Sequence, residues 1–185
     1  GMKRCMLLIG GARSGKTRRA LEIAQPFARK AYIATAQALD PEMQERIARH
    51  RQERGPSFAT FEVPLALAET LRKTQGNFDC IVVDCLTLWL ANLMLSQERN
   101  IPWEEEVRNL ADTAKTAEGL VIFVTNEVGM GIVPGHELGR HFRDAQGLLN
   151  QSMAQVADEV IFMTAGIPLT LKNEVAHERS SLLAR

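Results

Sequence analysis

The chain predicts an α/β fold: a mostly parallel sheet with helices on both faces, closed by an antiparallel hairpin. Three observations predict it. Six short, β-branched-rich apolar runs alternate with segments of helical periodicity, the pattern of successive β–α units. Two of the runs, Ile81-Val82-Val83 and Leu120-Val121-Ile122-Phe123-Val124, are continuously apolar, as strands covered on both faces must be. The first run leads through a glycine-rich loop directly into a helical pattern, the arrangement that places a ligand at the carboxyl end of an open sheet.

The first strand is residues 5–9. Gly10-Gly11-Ala12-Arg13-Ser14-Gly15-Lys16-Thr17 follows and reads G-x-x-x-x-G-K-[ST], a phosphate-binding loop. Its glycines let backbone N–H groups close around phosphate oxygens. The helix that starts there presents the positive end of its dipole. Lys16 is placed for the β- and γ-phosphates, and the Thr17 hydroxyl for Mg²⁺. With this motif the sheet reads as that of a P-loop NTPase, RecA-like in type. Ala20, Leu21, Ile23, Ala24 and Phe27 share one face, which predicts a helix over 16–29. A strand over 31–35 comes next.

Asp40-Pro41-Glu42 opens a helix over 41–53, with a capping carboxylate and a proline in its first turn. Met43, Ile47, His50 and Arg54 fall on one stripe, so the two apolar residues would seat the helix. Arg46, Arg49, Arg51 and Arg54 surround His50. Guanidiniums so grouped suit a polyphosphate. Composition equally describes a solvated helix whose arginines pair with Glu42, Glu45 and Glu53.

A strand over 58–63 and a helix over 65–74 precede the strand at 80–84, which ends in Asp84. That is the place of the Mg²⁺-holding acid in a phosphate-loop protein. The other reading has Asp84 cap the helix near Leu86. On that helix, 86–96, the face of Leu88, Trp89 and Leu93 is either core or subunit contact. A helix over 103–118 leads to the strand at 120–124 and then to the loop 125–134. In this loop Asn126 and Glu127 are candidates to orient a hydroxyl or accept its proton. Gly129 and Gly131 allow close backbone approach or a moving lid, and an ordinary Gly-rich turn has the same composition. Arg140, Arg143 and Asp144, early in the helix at 137–157, either reach a phosphate or bridge helices or subunits. Strands over 160–164 and 169–172, joined by Ala-Gly-Ile-Pro, form the hairpin.

At 185 residues the chain fits one domain, 1–185. Its 22 Lys+Arg balance 22 Asp+Glu, which argues against a broad nucleic-acid or acidic-membrane surface. The three cysteines have neither metal nor redox spacing. That usage, with no secretory signal pattern, leads us to expect a reducing cytoplasm. The apolar run 81–95 is interrupted by Asp84 and Asn92 and falls short of the ~20 residues of a membrane span.

In the residues just named the chain resembles the adenosylcobinamide kinase / adenosylcobinamide-phosphate guanylyltransferase family of cobalamin biosynthesis. The resemblance is carried in order over 5–172 by 10–17, Tyr-Ile-Ala-Thr-Ala (32–36), Arg-Ile-Ala-Arg-His-Arg (46–51) and Thr-Asn-Glu-Val-Gly-Met-Gly-Ile-Val-Pro (125–134). His-Phe-Arg-Asp (141–144), Asn-Gln (150–151) and Ala-Asp-Glu-Val (157–160) continue it. The resemblance implies a bifunctional enzyme using ATP or GTP with Mg²⁺. It phosphorylates adenosylcobinamide, then transfers GMP from GTP through a guanylylated histidine, whose matching position is His50. It further implies nucleotide contacts at Gly10, Gly11, Ala12, Arg13, Ser14, Gly15, Lys16, Thr17, Ala34, Thr35, Ala36, Arg51, Gln52, Glu53, Arg54, Glu62 and Asp84, and a homotrimer whose partner molecule is a corrinoid. Another small-molecule phosphotransferase would explain the loop and Asp84 but not the arginines around His50. A nucleotide switch would need Gly129–Gly131 as its moving element.

Overall fold

The computed structural model describes residues 3–96, 100–130 and 135–174. Its strands are β1 (Lys3–Gly10), β2 (Lys30–Ala34), β3 (Phe58–Glu62), β4 (Cys80–Asp84), β5 (Gly119–Asn126), β6 (Glu159–Thr164) and β7 (Ile167–Asn173). Its helices are α1 (Lys16–Ala24), α2 (Pro41–Arg54), α3 (Leu67–Thr74), α4 (Leu86–Leu95), α5 (Trp103–Thr116) and α6 (Glu137–Val156). The strands form one sheet in the order β3-β2-β4-β5-β1-β6-β7. All pairings are parallel except β6–β7. The mostly parallel α/β architecture with an antiparallel edge is therefore as the sequence implied.

Alternation along the strands splits the core in two. Leu7, Ile33, Ile81, Val83, Val121 and Phe123 face Leu67 and Leu71 of α3, Trp89 and Leu90 of α4, Leu110 of α5 and Leu149 of α6. Met6, Leu8, Val82, Ile122 and Val124 face Ala20 and Ala24 of α1. Trp89 is fully buried and its indole N–H donates to Leu65 O at 2.9 Å. Leu93 is buried with it, whereas Leu88 is half-exposed on the other side of the helix.

Two expectations change. α1 ends at Ala24 rather than at 29, because Pro26 lacks the N–H that the next helical bond needs. Phe27 still packs on the α1 side of the core. α2 begins as expected, with the Asp40 carboxylate accepting from Met43 N at 2.7 Å and Pro41 in the first turn. Met43 and Ile47, however, do not seat it in the core: both are half-exposed, and Arg54 is the buried residue of this helix.

β1 ends in a crowded corner. A Cβ on Gly10 would lie 2.4 Å from Met163 O of β6 and 2.6 Å from Ser14 Oγ. Gly10→Ala is therefore expected to push β1 from β6 and destabilise the protein by about 1–3 kcal/mol. Urea unfolding checks this, and an unmoved midpoint would contradict the contact.

Candidate active site

The phosphate loop, residues 10–17, joins β1 to α1 at the carboxyl end of the sheet, where open α/β sheets bind ligands. Gly15 has φ 96°, and a Cβ there would lie 3.2 Å from Gly166 Cα in the β6–β7 turn. Gly166 N–H donates to Ser14 O at 2.9 Å. The closing hairpin thus braces the loop, a role the local sequence pattern did not signal. Lys16 Nζ donates to Gly11 O at 2.9 Å. Burial pushes the Lys16 ammonium below its ordinary range, against the opposing pull of Cys85 and Asp84.

Asp84 ends β4, separated from β1 in the sheet by β5. Its Oδ2 accepts from Thr17 Oγ1 at 3.2 Å and from the Tyr32 hydroxyl. α4 takes Cys85, not Asp84, as its N-cap, so the capping reading does not hold. Tyr32 carries no site signal of its own in the sequence; its contact with Asp84 depends on β2 lying beside β4. Among the described residues no group of three or more His, Cys, Asp or Glu is placed to hold a metal ion. A cation at Thr17 and Asp84 would have to take its remaining ligands from a nucleotide and water. That suits Mg²⁺, which commonly uses one or two carboxylates beside substrate phosphates.

These groups open into a cleft of about 870 Å³. Ala12, Arg13, Ser14, Gly15, Lys16 and Thr17 line it, with Ala34, Ala36, Arg51, Glu53, Arg54, Glu62 and Asp84. His50 lines the same cleft, with Arg46 and Arg49 beside it on α2. The loop and the arginine-flanked imidazole are thereby brought together. Gly10 and Gly11 stand behind the wall and act through backbone: Gly10 O accepts from Glu127 N at 2.8 Å, and Gly11 O holds Lys16.

Thr35 and Gln52 fall elsewhere. Thr35 is completely buried; its hydroxyl donates to Cys85 O at 2.6 Å and accepts from Cys85 N at 2.9 Å. Strand alternation turns Thr35 away from the cleft while Ala34 and Ala36 reach it. Gln52 lines a separate hollow with Gln44, Glu45 and Ala48, because its place on α2 points it away from His50. Arg54 borders the cleft but is buried, its guanidinium over the Tyr32 ring. Arg51 pairs with Glu62 at 3.2 Å in an exposed position. Cys85 also borders the cleft, and burial pushes its thiol up to about 11.

The loop after β5 is pinned from below. Thr125 Oγ1 donates to Asn150 Oδ1 at 2.8 Å, and Gln146 Nε2 donates to both at 3.0 and 2.9 Å. Asn150 Nδ2 donates to Asn126 O at 3.1 Å. Asn126 lines the cleft; Glu127 does not, and its Oε1 accepts from Gly129 N at 2.7 Å. Arg143 donates to Gly129 O, tying α6 to the loop after β5 rather than to another helix. Gly131 lies outside the described residues. Asn150→Leu would leave the buried Thr125 hydroxyl without its acceptor and Asn126 O without its donor, and deprive Gln146 of one of its two bonds, at an expected cost of about 2–4 kcal/mol. Equilibrium denaturation measures it, and a loss under ~0.5 kcal/mol would contradict the network's role.

Solved structures share the fold at low identity. The RadB recombinase matches with TM-score 0.50 and 15% identity, over 86% of this chain and 74% of that one. A type III secretion ATPase of pathogenic bacteria matches with TM-score 0.54 and 12% identity, over 96% of this chain and 58% of that one. Closer relatives exist among characterised sequences. The bifunctional adenosylcobalamin biosynthesis protein CobP of Pseudomonas aeruginosa is 45% identical over 91% of this chain and 97% of its own. CobU of Salmonella typhimurium, with the same description, is 36% identical over 90% and 99%. The family model for cobinamide kinase / cobinamide phosphate guanyltransferase matches residues 6–171. With the loop, the acid and the histidine helix around one cleft, and relatives matched along nearly their whole length, the chain belongs to the cobinamide kinase / cobinamide phosphate guanyltransferase family of transferases.

Proposed function

We propose that the protein phosphorylates adenosylcobinamide and then converts the product, with GTP, into adenosylcobinamide-GDP and pyrophosphate. The observation that carries this is the shared cleft of His50 and the phosphate loop. In the kinase step the substrate hydroxyl attacks the γ-phosphorus of ATP or GTP, the bond to the β-phosphate oxygen breaks, and the hydroxyl proton passes to a base. Glu127, next to the cleft-lining Asn126, is our candidate for that base, with one carboxylate oxygen held by Gly129. In the second step an imidazole nitrogen of His50 attacks the α-phosphorus of GTP and pyrophosphate leaves. The acceptor's phosphate oxygen then displaces imidazole from phosphorus. Splitting one transfer in two suits imidazole, which leaves readily once protonated.

Lys16, Arg46 and Arg49 neutralise charge as it builds on the leaving oxygens. Thr17 and Asp84 would hold Mg²⁺, which when bound adds further neutralisation of the phosphate charge. Among the described residues no helix is long and apolar enough to cross a membrane. We infer a homotrimer working in the cytoplasm, with the corrinoid in an open cleft between subunits. The exposed Ile167, Leu169 and Leu171 on edge strand β7 support subunit association.

The test is incubation with cobinamide, ATP, GTP and Mg²⁺, followed by chromatography and mass spectrometry. Cobinamide phosphate should form first and its GDP derivative second. Phosphorylation of other alcohols only, with no guanylylated protein, would overturn the proposal.

A further inference from the structure

α2 carries His50 yet is held by little. Arg54, in its last turn, is the one buried residue of the helix. The Arg54 guanidinium lies 4.1 Å from the centroid of the Tyr32 ring, and its Nη2 donates to Thr60 Oγ1 at 3.2 Å. The ring is fixed in turn, edge-on to Phe58 at 6.4 Å and bound through its hydroxyl to Asp84. A second link from α2 to the sheet among the described residues, Arg51–Glu62, is exposed at both ends and contributes little. Burial holds the Arg54 guanidinium below its ordinary range. The ring face supplies the compensating attraction, which is strongest where water is excluded. His50 and Arg54 are four residues apart, so they share one helix face a single turn apart.

We propose that Arg54 and Tyr32 are positioning residues for guanylyl transfer: the stacked pair fixes the last turn of α2, and with it the stance of the His50 imidazole toward the phosphate loop. The proposal rests on His50 being the nucleophile. It gives Arg54 a task other than phosphate contact. Nucleophilic attack is sensitive to such placement, since an error of ~1 Å can cost on the order of a hundredfold in rate.

The experiment compares two rates in one preparation: single-turnover GMP labelling from α-labelled GTP, and cobinamide phosphorylation. Arg54→Met and Tyr32→Leu are each expected to slow labelling about tenfold more than phosphorylation, the scale of a desolvated cation–π pair. Tyr32→Phe, which keeps the ring, should recover most of the labelling lost in Tyr32→Leu. The double variant should lose little more than either single one, because both break the same contact. Circular dichroism and melting confirm folding. Should Arg54→Met fail to fold, Arg54→Lys keeps the charge and loses the planar stack, and a selective loss of labelling of about threefold or more is expected. Parallel loss of both rates, additive losses in the double variant, or Tyr32→Phe as damaged as Tyr32→Leu would overturn the proposal. Undiminished labelling in His50→Ala would instead remove its premise, so the two failures are distinguishable.

Discussion

His50→Ala is expected to lose covalent GMP labelling by at least about 10³-fold, the scale on which removing a nucleophile acts, while part of the kinase turnover survives. Of the histidines in the described residues, His50 alone lines the cleft. His136 caps α6, its Nδ1 accepting from Gly139 N at 2.9 Å, and His141 is exposed on α6. Among the described residues no neighbouring imidazole stands ready to replace His50. The kinase step passes the γ-phosphoryl group directly to the substrate and needs position and charge more than a protein nucleophile. The two activities should therefore separate. Incubation with α-labelled GTP and Mg²⁺, then denaturing electrophoresis, reads the label; a coupled assay reads the kinase. A label of wild-type intensity on the variant would disprove the assignment.

Lys16→Met should move function and stability in opposite directions. The ammonium is held below its ordinary range because burial outweighs the attraction of Asp84 and Cys85. The sign follows from linkage. A lysine whose folded pKa is lowered opposes folding while pH stays below that value. The penalty is relieved as pH rises from the folded value toward the unfolded one. Methionine keeps the length of the chain without the charge. The nucleotide-free variant is expected to melt about 2–4 °C higher at neutral pH and to lose the wild-type gain in stability on the alkaline side. GTP should no longer raise its melting temperature, and both activities should fall by about 10²-fold or more. Thermal melts with and without GTP, from neutral to alkaline pH, measure the first part. Unimpaired guanylyl transfer would require a second triphosphate site. A lower melting temperature without nucleotide would show that the Lys16–Gly11 bond outweighs the cost of the buried charge.

Much of this architecture was legible because its signals are local. The run at 120–124 is apolar at every position, so a doubly covered strand was the simple reading, and β5 extends it to Gly119–Asn126. Asp40-Pro41 announces the start of α2 in two residues. The misses come from partners distant in sequence. Arg54 shares its stripe with His50 and reads as a phosphate-binding or solvated cation; that it stacks on Tyr32 and reaches Thr60 emerges only once β2 and β3 lie beneath it. Thr35 sits between two cleft alanines, and only the β2–β4 pairing shows it turned inward toward Cys85. Asp84 has two local readings; the N-cap at Cys85 removes the capping one, and its contacts with Thr17 and Tyr32, both far back in the chain, emerge only in the fold. Periodicity places a residue on a face; it does not say what covers that face.

The strand that carries the phosphate loop precedes both of its sheet neighbours in the chain and waits longest for them. β1 lies between β5 and β6, with Cys5 beside Val121 and Leu8 beside Ile161. A growing polypeptide therefore emerges from the ribosome with its nucleotide grip on a bare strand, and contacts so remote in sequence form slowly. The grip is finished only when the final hairpin arrives and Gly166 reaches Ser14. Removing β6 and β7 would strip β1 of one sheet neighbour and Ser14 of the Gly166 bond together, so the loop would lose its brace and its flank in a single cut.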